Sequence, residues 1–125
     1  MARILIAEDE ETLCAMCARA LSSAGHEVKT ACDGSDALDV LQREKGCFDL
    51  LLTDIRMPIM DGIALSLTAA RDYPDLTILL MTGYADQRER ASGLDAIVHD
   101  VIAKPFTLAV LRGAVDEALT VKTRT

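Results

Sequence analysis

Carboxylates, a hydroxyl and an ammonium end successive apolar runs in this sequence, and such groups could handle a phosphoryl group with a metal ion's help. Asp54 follows Leu50-Leu51-Leu52-Thr53 and precedes Ile55-Arg56-Met57-Pro58-Ile59-Met60-Asp61-Gly62. An apolar strand, then a proline turn and an Asp-Gly turn, places that carboxylate at the strand's carboxyl edge. Glu8-Asp9-Glu10-Glu11 follows Ile4–Ala7, Thr82-Gly83 follows Ile78–Met81, and Lys104-Pro105 follows Val101–Ala103. Crowded carboxylates disfavour one another's ionised form, and a divalent cation relieves this. With oxygen donors and no cysteine–histidine set, magnesium is the expected ion. Asp54 could then attack an activated phosphoryl group to give an acyl phosphate. Lys104 and the Thr82 hydroxyl suit the charge on its oxygens.

The elements that must position these groups follow from periodicity. Five apolar runs recur at near-even spacing: Ile4–Ala7, Val28–Ala31, Leu50–Thr53, Thr77–Met81 and Val101–Ala103. Helical patterns lie between them. In the first, Leu13, Met16, Cys17, Ala20, Leu21 and Ala24 mark a buried face that Gly25 closes. The second spans about 35–45 with Ala37, Leu38 and Leu41 inward, and the third about 61–72, before Pro74. The fourth helix, about 86–94, is charged and has little apolar face. The last helix has Thr107 as its cap and Leu108, Leu111, Val115 and Leu119 on one side. Alternation of this kind predicts an α/β fold, a five-stranded parallel sheet doubly wound by helices on both faces. Ligands of such sheets bind at the carboxyl ends of the strands.

Bulk properties narrow the function. Thirteen basic against twenty acidic residues give a net charge of −7, which argues against a nucleic-acid partner. Neither a signal peptide nor a membrane span is expected, so the predicted location is the cytoplasm. Cys14 and Cys17 form a C-x-x-C, but a structural zinc site needs two further ligands, and His26 and His99 are badly placed to supply them. The pair is read as two small residues one helical turn apart.

Taken together, Glu8-Asp9, Thr53–Gly62, Thr82-Gly83 and Lys104-Pro105-Phe106 resemble the signature of the receiver domain of two-component response regulators, in order and over essentially the whole chain. The resemblance implies a flavodoxin-like receiver fold with strand order 2-1-3-4-5, a single receiver domain over residues 1–125 and no output domain. It also implies that Asp54 is the phosphoacceptor. Asp9, Asp54 and the backbone carbonyl of Arg56 would bind Mg2+, and Glu8 would act through water. Thr82 would be the switch hydroxyl, Lys104 the phosphoryl partner, and the bond before Pro105 cis. The phosphoryl donor would be a histidine kinase or histidine phosphotransferase. More narrowly, the chain is similar to the stand-alone receivers of alphaproteobacterial cell-cycle control. That implies an adaptor that helps deliver substrates to an ATP-dependent protease at the cell pole; a phosphoryl shuttle or sink is the alternative output.

The chain departs from the family pattern in two places. Glu8 replaces the commoner Asp, and Val101 stands where many receivers carry a switching Tyr or Phe. Tyr84, two residues after Thr82, is the candidate replacement. Two other function classes fit the residues less well. A phosphatase with an aspartyl nucleophile generally needs a second Asp two residues on, where this chain has Arg56. A flavodoxin-like cofactor binder needs a phosphate loop after the first strand, where Glu8–Glu11 would repel a phosphate.

Overall fold

The computed structural model describes residues 2–83, 92–94 and 96–124. Five strands, β1 (Arg3–Ala7), β2 (Glu27–Ala31), β3 (Leu50–Asp54), β4 (Thr77–Thr82) and β5 (Asp100–Ala103), form one parallel sheet in the order β2-β1-β3-β4-β5. The helices are α1 (Glu11–Ser23), α2 (Gly34–Arg43), α3 (Gly62–Asp72) and α4 (Leu108–Arg124), with a 3-10 turn at Ser92–Leu94. Of the charged segment expected at about 86–94, only that turn lies within the described residues.

The period of two along the strands sorts the core into two layers. Leu5, Leu51, Ile78 and Leu80 pack beneath α2 and α3 with Ala37, Leu41, Leu65 and Ala69. Ile4, Ile6, Leu50, Leu52, Leu79 and Met81 pack on the other face with Cys17 and Leu21 of α1 and with Leu111, Val115 and Ala118 of α4. Burying each large aliphatic side chain contributes about 1.5–3 kcal/mol. This is why the central strands read as unbroken apolar runs. β2, at the sheet edge, is mostly exposed, and its Lys29 faces solvent.

The helix caps match the local sequence. Asp61 accepts from the Ala64 N–H at 2.9 Å, Asp33 from the Asp36 N–H at 2.8 Å, and the Thr107 hydroxyl from the Val110 N–H at 3.1 Å. Three residues do not follow the expected buried faces: Met16 is 48% exposed, and Leu108 and Ala24 are also exposed. Each sits on the flank or end of its helix, beyond the reach of the sheet. Cys17 is buried in the core, and burial foremost pushes its thiol to about 11. Among the described residues the cysteines join no metal-binding cluster.

At the amino edge of the sheet, Arg3 ties several segments together. Its guanidinium bonds Glu44, the Cys47 carbonyl and, at 2.9 Å, Glu27, and it lies 4.6 Å from the Phe48 ring centroid. Hydrogen bonds from Arg3 and then Lys29 hold the Glu44 carboxyl below its ordinary value of 4.5. A depressed carboxylate adds stability above that ordinary value and loses it as pH falls through the folded value. The Tm deficit of Glu44→Gln is therefore expected to be clear at pH 7 and to shrink as pH falls below 4.5 and through the lower folded value, as thermal unfolding across pH would show.

Candidate functional site

Every carboxyl-terminal strand end except that of β2 brings a polar group to one edge of the sheet. Glu8 and Asp9 follow β1, Asp54 ends β3, Thr82 ends β4 and Lys104 follows β5. Ligand oxygens of Glu8, Asp9 and Asp54 all lie within 4.8 Å of one another. Glu8 and Asp54 are buried, whereas Asp9 is exposed at the mouth. Lys104 Nζ donates to Glu8 Oε1 at 2.8 Å and to Asp54 Oδ2 at 3.0 Å. Its backbone N–H donates to the Thr82 carbonyl at 2.7 Å, and the Lys104–Pro105 bond is cis.

The electrostatics follow from this crowding. Partial loss of solvent at the mouth, and then hydrogen bonding with Glu8, raise the Asp9 carboxyl above its ordinary value. For Lys104, burial works against the ammonium, yet its hydrogen bonds to Glu8 and Asp54 outweigh that and raise it. Three carboxylates against one bridging ammonium leave a negative balance. A compact, oxygen-only set of this kind fits a hard divalent cation.

The chain after Asp54 is held close to it. The Gly62 N–H donates to the Ile55 carbonyl at 2.8 Å, and a Cβ on Gly62 would lie 2.0 Å from the Asp54 carbonyl oxygen. Between them the Met60 N–H donates to the Pro58 carbonyl at 2.7 Å, across Ile59 at φ 68°. That is a γ-turn of the strained hand, on a β-branched residue that is 85% exposed.

Some contributors were not legible in the sequence. The buried Thr53 hydroxyl donates to the Asp54 carbonyl at 2.9 Å. Thr53→Val keeps the shape but withdraws that donor, so a stability loss of about 1–2 kcal/mol in urea unfolding is expected. A cleft around Asp9, Asp54, Arg56 and Lys104 is walled by Leu13, Met16, Met57, Pro58 and Phe106. The exposure of Met16 is the clue that this part of α1 faces the cleft. Thr82 is buried beside it, and its neighbour Gly83 lines it. The switch candidate Tyr84 lies outside the described residues.

Among the described residues no helix is long and apolar enough to cross a membrane. The family model for the response regulator receiver domain matches residues 4–116. The receiver protein CpdR of Brucella abortus is 39% identical over 119 residues, covering 95% of this chain and 98% of CpdR. The response regulator MprA of Mycobacterium tuberculosis is 36% identical over 87% of this chain, which spans 46% of MprA. Among solved structures, a CheY-like receiver protein from Methanospirillum hungatei is 28% identical with a TM-score of 0.90, over 99% of this chain and 98% of that one. The response regulator TrrA of Thermotoga maritima, solved in complex with Mg2+ and BeF, is 27% identical with a TM-score of 0.82, over 94% of this chain and 99% of that one. With a strand order and layer arrangement that agree, this chain belongs to the response regulator receiver family of two-component systems.

Proposed function

We propose that the chain is a signalling receiver rather than a turnover enzyme, and that Asp54 accepts a phosphoryl group from a histidine kinase or histidine phosphotransferase. The observation that carries this reading is the meeting of Glu8, Asp9 and Asp54 at one sheet edge with Lys104 Nζ 3.0 Å from Asp54 Oδ2. Mg2+, held by Asp9, Asp54 and the Arg56 backbone carbonyl with Glu8 acting through water, would neutralise charge on the phosphoryl oxygens. An Asp54 carboxylate oxygen attacks phosphorus. The bond from phosphorus to the donor nitrogen breaks, and the donor histidine leaves as imidazole after taking up a proton. Lys104 and the Thr82 hydroxyl receive the charge of the transferred group, and Tyr84 reports its presence.

The output is protein–protein contact in the cytoplasm, made by the receiver domain itself. The likeness to CpdR over nearly the full length of both chains supports placing that output with the stand-alone receivers. The unphosphorylated form would then act as a protease adaptor.

Intact mass after incubation with acetyl phosphate tests the reading. Wild type should gain one phosphoryl group only with Mg2+, and Asp54→Ala should gain none. An unchanged mass for wild type with both Mg2+ and a cognate phosphotransferase would reject it.

A further inference from the structure

Glu8 is fastened at both ends of its carboxylate. Oε1 accepts from Lys104 Nζ at 2.8 Å and Oε2 accepts from the Glu10 N–H at 3.1 Å, and the residue is only 2% exposed. The roots of the pair are fixed too. The Glu8 N–H continues the sheet by donating to the Ala31 carbonyl at 3.0 Å, and the Lys104 N–H donates to the Thr82 carbonyl at 2.7 Å. The contact therefore depends on arm length. An aspartate on the same Cα would fall short by about 1.5 Å, one carbon–carbon bond, and a 2.8 Å hydrogen bond does not survive that.

Lys104 thus lies across two of the three carboxylates of the cluster, Glu8 and the proposed nucleophile Asp54. A divalent cation among Glu8, Asp9 and Asp54 would bring two positive charges close to Nζ. Repulsion then opposes the Lys104–Glu8 bond, and part of the cation's binding energy goes into loosening it.

We propose that Glu8 sets the cation affinity of the site by holding Lys104, so that cation binding releases the lysine for the phosphoryl oxygens. The inference rests on the reading of this cluster as the Mg2+ site. It assigns Glu8 a role beyond charge, one that the shorter aspartate would not perform. By linkage the coupling is reciprocal: whatever draws Lys104 away from Glu8 tightens cation binding by the same factor. While the lysine stays on Glu8 and Asp54, Asp54 Oδ2 is shielded from a donor, and the cation thus gates the nucleophile as well as neutralising charge.

Calorimetric titration of the whole chain with Mg2+ alone, for wild type, Glu8→Asp, Lys104→Gln and the double variant, tests this without any phosphoryl transfer. Glu8→Asp should tighten Mg2+ about tenfold, equivalent to about 1.4 kcal/mol. That gain should disappear in the Lys104→Gln background. Weaker binding in Glu8→Asp, or the same change in both backgrounds, would overturn the inference while leaving the Mg2+ site intact. No Mg2+ binding to wild type would overturn the site reading itself. A measurement that needs no lysine variant is the 13Cε signal of labelled Lys104. Mg2+ should move it further in wild type than in Glu8→Asp, and equal shifts would refute the release.

Discussion

Gly62→Ala is expected to lower stability by about 3 kcal/mol and to suppress modification of Asp54 with it. The added Cβ would lie 2.0 Å from the Asp54 carbonyl oxygen, 2.8 Å from its carbon and 3.0 Å from the Ile55 Cα. All three are backbone atoms of β3 and its exit, so no side-chain rotation relieves the clash. Either α3 backs away, breaking the Gly62–Ile55 hydrogen bond and loosening Leu65 and Ala69 from the core, or the end of β3 shifts. The second route displaces the Asp54 carboxylate from Lys104. Urea unfolding reads the first effect and intact mass after acetyl phosphate reads the second. A midpoint within error of wild type would show that the close approach is not rigid.

Asp9→Asn should move stability and cation binding in opposite directions. Asp9 lies within the cluster of three carboxylates, and both partial loss of solvent and Glu8 disfavour its charge. Removing that charge relieves repulsion. At neutral pH in chelator the variant should be more stable than wild type, by up to about 1 kcal/mol, because solvent screens so exposed a group. The same change removes a hard donor from the cation cluster. Mg2+ affinity should fall by at least the roughly 10–100-fold that loss of an outer-shell partner alone costs. Thermal unfolding in chelator and calorimetry with Mg2+ read the two effects. A variant that lost stability in chelator would mean that Asp9 serves the fold as well as the cluster.

The sheet was legible because β1, β3 and β4 are buried on both faces. Burial on both sides leaves no alternation and writes strand directly into composition, as Leu50–Leu52 shows. Asp61 and Thr107 were legible as helix starts because capping is local chemistry. Met16 and Leu108 were misplaced because helical period assigns a residue to a face but does not say where the sheet beneath that face ends. The Glu8–Lys104 pair was beyond sequence reasoning altogether. It joins residues 96 positions apart, and whether a carboxylate meets an ammonium there depends on one methylene. Thr53 read as one more strand residue, and only its buried environment shows the hydroxyl turned onto the Asp54 carbonyl.

All five residues of β3 are buried, and β3 has a neighbour strand on either side. Asp54 is thus the last link of a segment held on both edges and both faces. A strand clamped on two edges and two faces cannot lengthen, twist or tilt to accommodate a bulky new group at its tip. Any displacement such a group caused would be passed outward, into the turn that carries the strained Ile59. If Asp54 is the phosphoacceptor proposed above, information about its chemical state would leave the domain through its periphery, with the sheet as the fixed reference against which that change is measured.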